Sequence, residues 1–211
     1  MTGIDTIMTM GPVIPVLVIE DPAHARPIAE SLVAGGLRAL EVTLRTPVAF
    51  DAIRKMSKVE GAVVGAGTVL TRQDLQASLK AGAEFIVSPG LTPSLAGEAI
   101  ASGIPYLPGI QTASDIMYGL DLGLSRFKFF PAMAAGGIPT LKALSAPFHQ
   151  CRFCPTGGIT EATLGNWLEL NCVQCVGGSW LVPKGTPDID KIRENAANAA
   201  RVGHAAPLSR S

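Results

Sequence analysis

The sequence predicts an α/β fold, a single (β/α)8 TIM barrel with a short N-terminal helix. Three observations support this prediction. Apolar, strand-like runs recur eight times, helical periodicity separates each run from the next, and glycines or capping residues mark the helix ends. Eight strand–helix units within 211 residues favour a closed barrel over an open doubly wound sheet, which stays the alternative.

The chain begins with an amphipathic segment, residues 3–10, that predicts a helix closing one end of the barrel. The predicted strands follow at Val13–Ile19, Ala39–Leu44, Ala62–Ala66, Phe85–Ser88, Tyr106–Pro108, Phe127–Phe130, Phe153–Pro155 and Cys175–Gly177. Residues 188–202 predict a closing helix, and residues 204–211 are expected to form a frayed tail. Since no linker divides the chain, we expect one domain over residues 1–211.

The helix boundaries have recognisable signals. A capping side chain precedes a proline at Asp21-Pro22, Thr46-Pro47 and Thr92-Pro93, and the segment from Thr71 to Asp74 resembles a capping box. Glycines at 35, 36, 82, 103 and 123 precede the following strands, where they predict helix ends.

Composition narrows the function classes. The chain has 47% hydrophobic residues, no net charge and a pI near 6.8. It therefore lacks the positive charge that would attract nucleic acid or an acidic membrane. The early apolar run is too short for a signal core or a membrane span. We therefore expect a cytoplasmic protein that binds neither nucleic acid nor membrane.

The four cysteines form two Cys-x2-Cys pairs, Cys151 with Cys154 and Cys172 with Cys175, a spacing typical of a four-thiolate zinc site. Both pairs overlap strand-like runs, and residues three apart on a strand point to opposite faces. The three histidines do not cluster either. We therefore expect buried thiols and no metal, with a zinc-ribbon interaction module as the alternative.

One lysine lies in an apolar strand. Lys128 is flanked by Phe127, Phe129 and Phe130, whereas the other six lysines lie in polar, helical or loop contexts. Burial disfavours the ammonium form, so we expect an amine that can attack a carbonyl to form a Schiff base. The alternative is that Lys128 reaches water from the strand end.

The second predicted strand carries two charged residues. Its alternation places Leu40 and Val42 on the helix side and Glu41, Thr43 and Arg45 on the interior. We expect Glu41 and Arg45 to share a cavity with Lys128, or else to form a structural ion pair.

The last two strands are followed by paired glycines, Gly157-Gly158 and Gly177-Gly178. Backbone N–H groups there can approach an anion, and a short helix beginning near Ser179 is expected to add its dipole. A Schiff-base lysine, an acid/base and a phosphate pocket together describe an aldolase for a phosphorylated keto acid. A phosphosugar isomerase or epimerase is the alternative enzyme, which needs no imine-forming lysine.

Several motifs in order carry a resemblance to a known family. They are residues 41–46 (EVTLRT), 65–70 (GAGTVL), 88–91 (SPGL), 126–131 (RFKFFP), 152–159 (RFCPTGGI) and 177–180 (GGSW). From Gly11 to Pro183 the sequence resembles the bacterial 2-keto-3-deoxy-6-phosphogluconate (KDPG) aldolases of the Entner–Doudoroff pathway. The resemblance implies a class I, metal-free and cofactor-free homotrimer with a (β/α)8 barrel, which cleaves its substrate to pyruvate and glyceraldehyde 3-phosphate.

The resemblance also implies a role for each motif residue. Lys128 forms the imine and Glu41 moves protons. Arg45 and Thr68 hold the substrate carboxylate, Thr156 contacts its hydroxyl region, and Phe130 and Pro89 line the cavity. The phosphate binds to Gly157, Gly158, Gly178 and Ser179.

Two positions stand out against the family pattern, and the second of them bears on substrate choice. Met133 stands in the loop after the sixth strand where relatives are expected to carry an acidic residue. Relatives that use the galactonate epimer tend to have an apolar residue at the position of Thr156, so Thr156 favours the gluconate substrate. The galactonate epimer stays the alternative, and 4-hydroxy-2-oxoglutarate is a possible second substrate.

Overall fold

The structure, a computed structural model, describes residues 3–183 and 185–205, in which strands and helices alternate. The strands are β1 (Val13–Leu17), β2 (Ala39–Thr43), β3 (Val63–Gly67), β4 (Phe85–Val87), β5 (Tyr106–Leu107), β6 (Gly109–Ile110), β7 (Arg126–Phe129), β8 (Arg152–Pro155) and β9 (Val176–Gly178). The helices are α1 (Ile4–Met8), α2 (Pro22–Ala34), α3 (Ala49–Met56), α4 (Arg72–Ala81), α5 (Pro93–Ser102), α6 (Ala113–Asp121), α7 (Gly137–Ser145), α8 (Glu161–Leu168) and α9 (Ile189–Ala205).

The strands form a curled parallel arrangement of two sheets. Six strands pair in the order β5-β4-β3-β2-β1-β9, and three pair in the order β6-β7-β8. The α/β fold with parallel strands is therefore confirmed, but the single eight-stranded sheet that we expected is not what the strand pairing gives. The fifth predicted strand, Tyr106–Pro108, corresponds to β5, and Pro108 separates β5 from β6, because proline has no N–H to contribute to a ladder.

Two apolar clusters lie on opposite sides of the strands. The outer cluster packs the strands against the helices and includes Leu40 and Val42. The inner cluster fills one end of the interior; it consists of Ile7, Met8, Ile14, Ala39, Phe85, Val87, Leu107, Cys154 and Cys175. Since Ile7 and Met8 belong to α1, the N-terminal helix closes this end, as the sequence predicts, although α1 is shorter than residues 3–10.

The helix-start signals have mixed outcomes. Asp21 accepts a hydrogen bond from the Ala23 N–H at 2.8 Å, and the side chain of Thr71 and that of Asp74 form the predicted capping box of α4. The prediction at Thr46-Pro47 is wrong, because α3 begins at Ala49 without a side-chain cap. The Thr46 hydroxyl instead donates to the Ile19 carbonyl at 2.7 Å, so it fixes the end of β2 to the chain that follows β1.

The end of the chain also differs from expectation. Helix α9 runs from Ile189 to Ala205, so residues 204 and 205 are helical and not part of a frayed tail. The rest of the expected tail, residues 206–211, lies outside the described residues. None of the described helices is long and apolar enough to cross a membrane. The cytoplasmic location stays a prediction.

In each Cys-x2-Cys pair one cysteine packs on the outer cluster and the other lies in the inner cluster, so the two face opposite sides as the sequence predicts, although only Cys154 lies within a strand. Cys151 belongs to the outer cluster and Cys154 to the inner one, while Cys172 packs on the outer cluster and Cys175 lies in the inner one. Hydrogen bonding to Cys154, together with burial, raises the pKa of the Cys175 thiol well above its ordinary value. In residues 3–183 and 185–205, no three His, Cys, Asp or Glu side chains are grouped to hold a metal ion.

We predict that Ile7→Ala destabilises the fold by about 2 to 4 kcal/mol, because Ile7 is 1% exposed and its truncation leaves a cavity where α1 closes the interior. Denaturant unfolding measures the loss. Thr6→Ala is the matched control on the exposed face of α1, with an expected change within about 0.5 kcal/mol. Equal effects of the two substitutions would show that α1 does not contribute to the core.

Candidate active site

A lysine and a glutamate from different strands meet in the interior. The Lys128 Nζ atom on β7 donates to Glu41 on β2, at 3.0 Å to Oε1 and 3.3 Å to Oε2. Lys128 is 6% exposed and Glu41 is 2% exposed. The alternative that Lys128 extends into water is therefore wrong.

Strand alternation brings the two side chains together. On β2, Leu40 and Val42 pack in the outer cluster, so Glu41 between them points inward. On β7, Phe127 and Phe129 pack outward, so Lys128 points inward. Because β2 and β7 belong to different sheets, the Lys128–Glu41 contact joins the two sheets across the interior.

Burial makes this contact energetically important. A buried ammonium or carboxylate without a partner is costly, and removing one partner of a buried pair typically costs about 3 to 5 kcal/mol. The Phe130 ring gives the ammonium a second favourable contact, with its centroid 5.5 Å from Nζ. Because both side chains are buried, little water can reach the pair and exchange a proton with either group.

Among the described residues, Glu41 forms its ion pair with Lys128 and not with Arg45. Arg45 is exposed at the end of β2 and lines a cavity of about 580 Å³ together with Val16, Ser179 and residues of the segment that precedes α9. Neither Lys128 nor Glu41 lines that cavity. Val16, which lines the cavity, is paired with Glu41 in the register of β1 and β2, so one wall of the cavity lies next to the Glu41 backbone. That Arg45 shares one cavity with Lys128 and Glu41 stays a prediction.

Thr68 has an unusual backbone. It follows β3 directly and has φ of 58°, in the left-handed region that β-branched residues rarely adopt. Such strain is typically found at functional sites, where the surrounding structure holds it. The residue is half-buried and lies next to Gly67 at the end of the strand.

Thr156 lies on the same side of the strands as the lysine. It is 6% exposed, and its hydroxyl donates to the Cys154 carbonyl at 3.4 Å. Cys154 is the register partner of Lys128, so Thr156 lies one inward position further along the neighbouring strand. Phe130 and Pro89 are half-buried near the same strand ends.

The predicted phosphate-binding glycines form an open turn. Gly157 and Gly158 have φ of 106° and 77°, which glycine adopts without strain. Among the described residues, no acceptor is bonded to the backbone N–H of Gly157, Gly158 or Ser179. Gly178 lies in β9 opposite Pro15. The helix expected near Ser179 is wrong: these residues form a turn, and the next helix begins at Ile189.

A hydrogen-bond chain that the sequence did not suggest holds the loop after β4. The buried Ser88 hydroxyl lies 2.7 Å from the Tyr106 hydroxyl and 2.6 Å from the Gly90 carbonyl oxygen, to which it donates. This chain fixes the segment that contains Pro89. A polar residue at the end of an apolar strand was the only sequence signal for it.

Comparisons with known proteins give consistent matches over most of the chain. The family model described as "Aldolase: KDPG and KHG aldolase" matches residues 4–195. The 2-dehydro-3-deoxy-phosphogluconate aldolase of Zymomonas mobilis is 56% identical, with 98% of this chain and 99% of that protein covered. Its crystal structure with 3-phosphoglycerate superposes with a TM-score of 0.92 over 93% of this chain and 94% of the other, at 57% identity.

A second solved structure holds a reaction intermediate. The KDPG aldolase of Legionella pneumophila, with pyruvate captured at low pH as a covalent carbinolamine, is 44% identical, with a TM-score of 0.85. The alignment covers 97% of this chain and 98% of that protein.

We predict a high pKa for Tyr106, because burial raises the pKa of this hydroxyl to about 12 despite the hydrogen bond to Ser88. Tyr118→Phe leaves Tyr106 as the one tyrosine, and its ultraviolet absorbance should titrate near pH 12. A tyrosine in the unfolded chain has a pKa of about 10. The folded state therefore holds this proton more tightly, and the associated stability, complete below about pH 10, is lost as the pH rises through 12. Titration near pH 10 in protein that is still folded by circular dichroism would contradict the assignment.

Proposed function

The chain belongs to the KDPG and KHG aldolase family, and we propose that it is a class I aldolase in which Lys128 and Glu41 perform the chemistry. It cleaves 2-dehydro-3-deoxy-6-phosphogluconate to pyruvate and glyceraldehyde 3-phosphate. The observation that carries the residue assignment is the buried contact of 3.0 Å between the Lys128 amine and the Glu41 carboxylate.

Imine formation needs an amine without its extra proton. Glu41 is the carboxylate in contact with Lys128 and accepts this proton, which frees the nitrogen lone pair to attack the C2 carbonyl of the keto acid. The resulting carbinolamine loses its hydroxyl as water when Glu41 returns a proton. The trapped carbinolamine in the Legionella relative supports this route, since it is the intermediate that precedes the imine.

The iminium then acts as an electron sink. A base takes the proton of the C4 hydroxyl, the C3–C4 bond breaks, and its electron pair moves into an enamine conjugated with the nitrogen. Glyceraldehyde 3-phosphate leaves, the enamine takes a proton at C3, and water releases pyruvate from Lys128. Glu41 is suited to the proton transfers, because it lies within 3.3 Å of the nitrogen that becomes the iminium.

The polar groups around the pair suit an elongated anionic substrate. The backbone amides of Gly157, Gly158 and Ser179 have no acceptor among the described residues, which supports the phosphate role that we propose for them together with Gly178 on β9. Thr68 and Arg45 are proposed to hold the carboxylate. The exposed Arg45 guanidinium lines the cavity beside Ser179, which supports its role as a cationic group that binds an anionic part of the substrate.

The remaining substrate contacts are proposed from position. Thr156 contacts the hydroxyl region, supported by its burial beside the lysine strand, while Phe130 and Pro89 form the walls. The 56% identity to a 2-dehydro-3-deoxy-phosphogluconate aldolase supports the gluconate substrate over the galactonate epimer. The family description supports 4-hydroxy-2-oxoglutarate as a second substrate. A phosphosugar isomerase or epimerase is not favoured.

We also propose that the two sheets form one closed (β/α)8 barrel and one domain over residues 1–211. Two contacts support closure: β5 continues into β6 across Pro108, and Thr156 on the β8 side bridges to Gly177 on β9.

The homotrimer and the independence from metal or other cofactors are proposed from the resemblance. Sedimentation analysis and activity in the presence of chelator test these two points.

We predict that pyruvate and borohydride together label Lys128. Reduction converts the reversible imine into a stable secondary amine, so peptide mass analysis should find the pyruvyl adduct on the peptide that contains Lys128. Lys128→Met should not be labelled, while labelling should persist in Lys142→Met, a matched control outside the strand. An adduct on another lysine, or continued cleavage without any adduct, would refute the assignment.

We predict that Glu41→Gln lowers kcat for cleavage by ~10²-fold or more, because the amide keeps the shape but cannot accept the protons. A coupled assay of pyruvate release measures this. Glu60→Gln, at an exposed position after α3, is the control and should retain the wild-type rate. Near-normal turnover in Glu41→Gln would reduce Glu41 to a structural partner of Lys128.

A further inference from the structure

Three of the proposed site side chains or loops rest against a glycine of a neighbouring strand. Glu41 of β2 lies over Gly67 of β3, Thr156 lies over Gly177 of β9, and the Pro89 carbonyl lies over Gly109 of β6. In each case a Cβ atom on the glycine would overlap the neighbour. The Glu41 contact is the one that bears on the chemistry.

A methyl group at Gly67 would occupy the space of the Glu41 carboxylate. An ideal Cβ there lies 2.5 Å from Cγ and 2.7 Å from Cδ of Glu41, and it overlaps Oε1 more closely still. Oε1 is also the atom that accepts the 3.0 Å hydrogen bond from Lys128. A methyl group at Gly67 would therefore displace the same oxygen atom, Oε1, that forms the hydrogen bond with Lys128.

Backbone conformation does not explain the glycine. Gly67 is the last residue of β3 and is not among the residues with positive φ, so an L-amino acid fits its backbone. What the position requires is the absence of a side chain. The strained backbone belongs to the next residue, Thr68, which has a positive φ although it is β-branched. Backbone strain therefore does not account for a glycine at position 67.

The carboxylate has no equivalent space nearby. By register Glu41 pairs with Gly65, but the Phe85 ring from β4 already covers the open face of Gly65. Glu41 therefore leans toward the carboxyl end of the strands, over Gly67, and is 2% exposed there. A displaced carboxylate must move toward Lys128 or away from it, and both movements change the proton-transfer geometry.

We propose that Gly67 is a positioning residue for Glu41, which it admits to proton-transfer distance of Lys128 by having no side chain. This inference rests on the proposed aldolase function. Since a misplacement of about 1 Å can cost ~10²-fold in rate, we expect Gly67→Ala to lower kcat by ~10 to 10²-fold and to change the pH dependence of kcat. The KM for substrate should change far less, because the three atoms nearest to the added methyl group all belong to Glu41.

A double-mutant cycle separates this role from a general structural one. If Gly67 acts through Glu41, then Gly67→Ala added to Glu41→Gln lowers kcat little beyond Glu41→Gln alone. Multiplying losses would overturn the proposal. Gly97→Ala is the control, because a Cβ at Gly97 meets nothing within 4 Å, and it should retain the wild-type rate and pH profile.

A stability measurement decides the case where Gly67→Ala folds poorly. Overlap with Glu41 should lower the Tm of Gly67→Ala by on the order of 5 °C. The double variant Glu41→Ala with Gly67→Ala removes the overlapping atoms, so it should be at least as stable as Glu41→Ala alone. An equal Tm loss from Gly67→Ala with and without the Glu41 side chain would overturn the proposal.

Failure of the proposed function would look different. Wild-type protein that neither cleaves the substrate nor forms a borohydride-reducible adduct with pyruvate overturns the aldolase assignment itself. Wild-type protein that does both, together with a Gly67→Ala variant of unchanged kcat and pH profile, overturns only the positioning role. In the supporting outcome, Gly67→Ala still forms the Lys128 adduct with pyruvate but cleaves slowly.

Discussion

The interior of this protein is organised around one buried contact between an amine and a carboxylate. A lone charge in that position is costly, and the cost is offset only because Lys128 and Glu41 arrive from different strands at hydrogen-bond distance. The strands must therefore hold their register and curvature to keep the pair together. The same closeness makes the pair chemically useful, since a proton can pass between nitrogen and oxygen without leaving the protein.

The rest of the interior supports this contact in layers. Helix α1 and the inner apolar cluster fill the end below the pair, so the polar groups are confined to the end where the strands finish. At that end, glycines take the place of large inward side chains and leave room for Glu41, Thr156 and the Pro89 loop. Small residues thus determine where the reactive groups lie, although they perform no chemistry themselves.

Local patterns in the sequence predict much of this arrangement. The alternation on two strands is sufficient to point Lys128 and Glu41 inward, and the capping residues Asp21 and Thr71 locate their helices. Features that depend on contacts between distant segments are harder. The sequence gives no indication that Thr46 binds the Ile19 carbonyl instead of capping α3, or that Arg45 faces the cavity beside Ser179. The sequence shows Pro108 at the end of a predicted strand, but the effect of this proline on strand pairing depends on the neighbouring strands.

The most direct test of the Lys128–Glu41 mechanism is the exchange of pyruvate methyl protons in D2O, followed by proton NMR. Imine formation makes the methyl carbon acidic, and a nearby base can then remove its proton without any aldehyde present. The mechanism predicts that wild-type protein replaces these protons with deuterium, that Lys128→Met does not, and that Glu41→Gln is slower by ~10²-fold or more. Exchange at the wild-type rate in either variant would contradict it.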